Sequence, residues 1–126
     1  MVERTGGRAV RTLVFVYGTL KRGGSNHAWI EQQQFVAEAR TAPVYRMYDL
    51  GGYPGMVRDE NGLSIHGEVW SVDEAGLIKL DVLEDTDGGE YERVTMQLEG
   101  EWATKRVEGY VYLRSVEGRR DVGERW

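Results

Sequence analysis

The sequence predicts an α+β domain with a strongly curved or closed sheet. Three observations carry this: short apolar runs rich in β-branched and aromatic residues, Gly and Pro turn signals between them, and two candidate helices placed without strand–helix–strand regularity. A chain of 126 residues with 40% hydrophobic content is enough for one ordinary core and too short for two. The domain is expected over residues 12–113. Residues 1–11 and 114–126 are polar, contain Gly and Arg and lack an apolar period, so they read as loose termini.

Leu13 to Tyr17 (LVFVY) is a continuous apolar run closed by Gly18, the pattern of a buried strand. A short helix is expected from Ser25 or Asn26, either of which can cap it, through Gln34. Residues 35–49 mix Val, Tyr and Met with polar partners, and Pro43 marks an edge or a break between two strands. In Gly51-Gly52-Tyr53-Pro54-Gly55, Gly follows Pro, the order of a type II turn. Residues 63–70 alternate as a strand, with Leu63, Ile65, Gly67 and Val69 opposite Ser64, His66, Glu68 and Trp70. Ser71 and Glu74 form a candidate capping box for a helix over about 73–84, with Asp73 as the competing cap. Residues 91–98 set Val94, Met96 and Leu98 against Arg93, Thr95 and Gln97, and a last strand over about 105–113 carries Val107, Tyr110 and Tyr112.

Composition excludes several functions. The net charge of −5, from 16 Lys plus Arg and 21 Asp plus Glu, argues against a nucleic-acid module, which needs a basic stripe. With no Cys, disulfides, thiolate zinc sites and cysteine nucleophiles are excluded, and a cytoplasmic setting is expected. The longest purely apolar run is too short for a signal-peptide core or a membrane span. His27 and His66 stand in different elements with no metal-ligand spacing, so no metal or cofactor is expected. The charge is uneven: Asp81, Glu84, Asp85, Asp87, Glu90 and Glu92 are interrupted by no basic residue. Counted from Asp85, a calcium loop fails, since Glu90 stands where Gly belongs and Met96 where the bidentate Glu belongs.

Two features carry chemistry. At about 100° per residue Glu84 projects between Leu77 and Leu80 on the apolar stripe of its helix, a carboxylate where a core residue belongs. Asp81 and Asp85 fall toward the edge and can stay wet. The bland alternatives are a helix ending before Glu84 or a pair with a nearby Arg. The second feature is Tyr17-Gly18-Thr19-Leu20-Lys21-Arg22-Gly23-Gly24-Ser25, a Gly-rich loop able to present N–H groups to an anion. It is no nucleotide P-loop, because the Lys required after Gly23 is replaced by Gly24.

With the loop and the carboxylate identified, VFVYGTLKRGGSNH (Val14 to His27), GGYPGM (Gly51 to Met56), HGEVWSVDEAGLIKLDVLE (His66 to Glu84) and YERV (Tyr91 to Val94) together resemble the γ-glutamyl cyclotransferase-like family, and most closely its γ-glutamylamine cyclotransferase branch. A Y-G-[ST]-L loop, an L-D-x-x-E helix end and a Y-x-R strand occur in order at family-like spacing. The resemblance implies a small mixed β-barrel-like sheet with flanking short helices and a pocket beside the loop. There a γ-glutamyl amide is cleaved by cyclisation, releasing 5-oxoproline and a free amine, without a cofactor. It implies Glu84 as catalytic acid/base, Tyr17, Gly18, Thr19 and Leu20 as the binding loop, and Tyr53 and Tyr91 lining the site. Two departures touch the pocket rim: Leu83 stands where the branch commonly has Phe, and DTDGGEYER lacks the Pro often found before the Tyr.

The reaction asks little else of the protein. The substrate's own α-amine attacks its γ-carbonyl, and such intramolecular attack carries effective molarities of about 10⁵ M or more. Moving a proton from an ammonium of pKa about 7.8 to a carboxylate of about 4.3 costs roughly 4.8 kcal/mol, a gap that burial of Glu84 narrows. The leading expectation is therefore a γ-glutamylamine cyclotransferase-like enzyme, and the acidic run beside its base favours a cationic leaving amine. The rivals are a non-catalytic binding protein for a small carboxylate such as 5-oxoproline or glutamate, and an interaction module using the acidic face.

Overall fold

The structure, a computed structural model, describes residues 10–126, so most of the expected N-terminal loose segment, residues 1–9, lies outside the described residues. Strand β1 (Arg11–Val16) is central, as its continuous apolar run requires. It pairs antiparallel with β5 (His66–Asp73) and in parallel with β7 (Glu108–Tyr112). Strand β2 (Gln34–Arg40) adds outside β5, and β6 (Tyr91–Thr95) outside β7, giving a mixed five-stranded sheet in the order β2-β5-β1-β7-β6. A second, antiparallel sheet is ordered β4-β3-β8, from β3 (Tyr45–Asp49), β4 (Pro54–Arg58) and β8 (Arg120–Asp121). The closed alternative is corrected: β2 and β6 remain edges and the two sheets stay separate.

Both faces of β1 are covered. Val14 and Val16 join Trp70, Val72 and Tyr110 against Leu77, Leu80 and Leu83 of helix α1 (Glu74–Leu83). Phe15 and Tyr17 join Tyr45, Met47 and Met56 of the second sheet. Val14 and Phe15 are fully buried, and burial of each such side chain stabilises by about 1.5–3 kcal/mol. The same two-sided cover explains β5, where Gly67 to Trp70 are all buried and the expected inside-outside alternation disappears.

Several local expectations are corrected. The helix expected over 25–34 is a single 3₁₀ turn, His27–Trp29. Asn26 provides no side-chain cap, because its amide bonds Thr19 Oγ1 at 3.0 Å, and tight turns then carry the chain into β2 at Gln34. Helix α1 starts where expected, but its cap is Asp73, which accepts from the Gly76 N–H at 2.7 Å, while Ser71 belongs to β5. The tight turn near residue 52 is Gly51-Gly52, with φ of 109° and 101°, rather than Pro54-Gly55, and Pro54 opens β4. Residues 114–126 are no loose tail: β8 pairs with β3, the Val122 N–H donates to the Met47 carbonyl, and Val122 and Trp126 pack on the second cluster. Two paired residues and two isolated apolar contacts leave no period in the sequence. No described helix is long and apolar enough to cross a membrane.

Candidate active site

Where β1 ends, the chain turns into the Gly18 to Ser25 loop, and all seven residues singled out from the sequence meet there. Tyr17, Gly18, Thr19, Leu20, Tyr53, Glu84 and Tyr91 line one cavity of about 200 Å³, the space of about seven waters. Its size suits a small molecule. A Cβ at Gly18 would overlap the Pro54 ring, so only Gly lets the loop lie against the start of β4. Asn26 holds the loop from within, through its Nδ2–Thr19 Oγ1 bond and through its own N–H, which donates to the Thr19 carbonyl at 2.9 Å. Among the described residues, the N–H groups of Gly18, Thr19 and Leu20 donate to no protein acceptor. Three successive free donors in one cavity wall suit an anion.

Three tyrosines are fixed as donors. Tyr17 Oη donates to the Tyr110 carbonyl at 2.7 Å, Tyr91 Oη to the Pro54 carbonyl at 2.6 Å and Tyr53 Oη to Glu90 Oε2 at 2.8 Å. Burial, reinforced for Tyr17 by the Glu84 charge, pushes the Tyr17 and Tyr91 phenols far up, so both stay protonated and neither serves as a base near neutral pH.

Glu84 is the C-cap of α1, its N–H bonded to the Leu80 carbonyl at 2.9 Å. The helix does end before it, yet the side chain is partly buried in the cavity wall. Among the described residues its carboxylate has no hydrogen bond and no Arg partner, which removes the second bland alternative. Burial first, and the nearby Glu90 charge second, raise its pKa to about 7. Phe15, Val16 and Leu83 supply the apolar part of the lining.

Sequence reasoning missed Asn26 as a loop holder, and Glu90, Pro54 and Tyr110 as lining. Only Glu90 carried a signal, as one of six carboxylates with no reason to single it out. The acidic run is not uniformly free, and the expectation for Asp81 is corrected. Arg93 Nε and Nη2 reach Asp81 Oδ1 and Oδ2 at 2.9 and 3.1 Å, and Tyr110 Oη donates to Oδ1 at 2.6 Å. Asp85 is exposed, as expected, with Arg114 at 3.9 Å. Both histidines stand apart from the cavity wall: His27 Nδ1 lies 3.0 Å from the Leu20 carbonyl and His66 Nδ1 3.1 Å from Arg125. Among the described residues no three His, Asp or Glu side chains converge as a metal site.

Residues 14–126 match the family model described as gamma-glutamyl cyclotransferase, AIG2-like. A Vibrio cholerae protein named "Putative gamma-glutamylcyclotransferase" is 51% identical over 85 residues, covering 68% of this chain and 71% of that one. The Escherichia coli K12 gamma-glutamylcyclotransferase family protein YtfP is 39% identical over 107 residues, covering 83% and 86%. Among solved structures, a uropathogenic E. coli-specific protein superimposes with a TM-score of 0.73 at 27% identity, covering 91% of this chain and 90% of that one. An AIG2-like protein from Mus musculus does so with a TM-score of 0.67 at 28% identity, covering 83% and 78%. The loop, the carboxylate and the sheet order thus sit in a chain that belongs to the gamma-glutamyl cyclotransferase, AIG2-like family.

Proposed function

We propose that the protein is a γ-glutamylamine cyclotransferase with Glu84 as its general acid/base. The observation that carries the reading is the Glu84 carboxyl, held at a pKa of about 7 in a small cavity with no partner among the described residues. In the reaction, ionised Glu84 takes a proton from the substrate's α-ammonium. The freed amine attacks the γ-carbonyl, the ring C–N bond forms, the amide C–N bond breaks and Glu84 returns its proton to the departing amine, while the second proton shed by the ring nitrogen also goes to that amine, which leaves as an ammonium. At a carboxylate pKa of about 7 the first transfer is uphill by about 1 kcal/mol instead of roughly 4.8. The unpaired N–H groups of Gly18, Thr19 and Leu20 are suited to the α-carboxylate or the developing oxyanion, and the protonated Tyr17 and Tyr91 hold the cavity wall.

Attack within the substrate needs no protein nucleophile, and this scheme uses no metal, so turnover should survive exhaustive chelation. Glu90 is a second cavity carboxylate, and its one described side-chain partner is the Tyr53 hydroxyl. That arrangement favours a cationic amine, with Glu90 rather than the whole acidic run responsible. A cytoplasmic setting is consistent with a chain that has no Cys.

The test is incubation with a panel of γ-glutamyl amines, γ-glutamyl dipeptides and glutathione, scored by mass spectrometry for 5-oxoproline. The reading expects 5-oxoproline from γ-glutamyl amines above all. Saturable binding of 5-oxoproline or glutamate with no turnover of any member would replace it with a carboxylate-binding protein.

A further inference from the structure

The turn that carries Glu84 closes on the end of its own helix: the Glu84, Asp85 and Thr86 N–H groups donate to the Leu80, Val82 and Asp81 carbonyls at 2.9, 3.0 and 3.1 Å. α1 stops at Leu83, and the next residue after Glu84, Asp85, is left-handed at φ 53°, so no continuing helix stiffens the cap. The same turn contains Asp81, whose carboxylate points away from the catalytic role and into a network. Arg93 of β6 grips both Asp81 oxygens, at 2.9 and 3.1 Å, and its remaining Nη1 contacts Glu108 of β7. Tyr110, opposite Arg93 in the β6–β7 register, donates its hydroxyl to the same Asp81 at 2.6 Å. The Tyr110 carbonyl in turn accepts the Tyr17 hydroxyl at 2.7 Å, at the start of the binding loop. Arg93 thereby ties the helix end to β6 and β7, and Tyr110 ties it to β7 and the loop.

We propose that Arg93 is a positioning residue: through Asp81 it fixes the helix-end turn so that Glu84 keeps its place relative to the binding loop. The catalytic part of this inference rests on the cyclotransferase reading. A lone exposed ion pair contributes little, but this one is bidentate, about two-thirds or more buried on both side chains and part of a network. Position matters here because a displacement of about 1 Å at a reacting centre can cost about 10²-fold in rate.

The experiment compares wild type with Arg93→Lys, Asp81→Asn and the double variant. Arg93→Lys keeps the charge and loses the fork. The expected result is a 10- to 100-fold lower kcat, KM within about threefold and an unmoved acidic limb of the kcat/KM profile. The double variant should be no worse than the more damaged single one, since both break one link. Hydrogen exchange should quicken at the amides of Glu84, Asp85 and Thr86, which close the turn onto Leu80, Val82 and Asp81, and stay unchanged near the Asp73 cap. Unchanged kcat in Arg93→Lys, additive losses, or exchange that quickens equally along all of α1 would overturn the proposal. Should Arg93→Lys fail to fold, Tyr110→Phe removes one bond to Asp81 and keeps the ring: a three- to tenfold loss of kcat supports the proposal and no loss overturns it. A wild type that makes no 5-oxoproline overturns the cyclotransferase reading instead, and the exchange comparison still decides whether Arg93 fixes the turn.

Discussion

Two glutamates flank the Gly18 to Ser25 loop, and the protein treats them in opposite ways. Glu68, 7% exposed on β5, receives the Trp70 indole N–H at 3.1 Å, the Arg22 backbone N–H at 3.1 Å and the Arg22 guanidinium at 3.1 Å. Burial by itself would raise its pKa, but these donors together outweigh it and hold the carboxyl below the ordinary range. Glu84, on the other side of the loop, receives no donor among the described residues and rises to about 7. Withdrawal from water raises the pKa of a carboxyl, and donors that replace the water can reverse that shift. Glu68 is thereby an anchor, holding Arg22 just beyond the loop, and Glu84 is left poised to exchange a proton.

Breaking the comparison at Glu84 should give the largest effect. Glu84→Gln is nearly isosteric, keeps the fold and cannot accept the ammonium proton, so kcat should fall by roughly 10² to 10⁴. Steady-state kinetics and circular dichroism on the same preparation check it, and near-normal turnover in folded protein would remove Glu84 as the base.

The pH dependence sharpens the contrast. The proposed mechanism requires ionised Glu84, so wild-type kcat/KM should fall about tenfold per unit below a midpoint near 7. For stability the sign is the reverse. The native state holds the Glu84 proton more tightly than the unfolded chain, so stability declines as pH rises from the ordinary carboxylate range through about 7. The Tm of Glu84→Gln should therefore exceed that of wild type at pH 8 and lose that advantage at pH 5.

Glu68→Gln should act in the opposite direction. Its depressed native pKa contributes stability above the ordinary carboxylate range that is lost as pH falls through the native value. At pH 7 the substitution weakens charge-assisted bonds to Trp70 and Arg22, and urea denaturation should show a loss of about 1–2 kcal/mol. A gain in stability would mean the donors do not compensate its burial.

The smallest effect belongs to Glu90→Gln. Removing this charge should reduce the kcat/KM preference for cationic over neutral γ-glutamyl amines by about threefold, with the difference fading at high salt. It should also lower the Glu84 midpoint slightly, since Glu90 contributes to the elevation of that pKa.

How much of this was legible in the chain follows from how local each signal is. LVFVY announced a strand covered on both faces, and the Leu77, Leu80, Glu84 spacing announced a carboxylate on an apolar stripe, because strand and helix periods are properties of consecutive residues. The helix over 73–84 was readable for the same reason, and its true cap, Asp73, was one of two candidates. The Gly-rich loop and its neighbours also pointed to a small-ligand site, and the structure gathers all seven named residues around one cavity.

What tertiary structure alone decided depends on partners far apart in sequence. Whether the sheet closes is set by the pairing of β2 and β6, which the chain order does not announce. The return of residues 114–126 to β3 rests on a two-residue ladder too short to leave a period. Asp81 and Glu84 are carboxylates on one helix turn, and the sequence distinguishes them only by which face they occupy. Arg93, twelve residues beyond Asp81, and Tyr110, twenty-nine beyond it, take one into a network. No donor among the described residues reaches the other. The sequence determines where a carboxyl sits on its own helix, but its pKa is a sum over what lies within a few ångströms, and that neighbourhood exists only once the chain has folded.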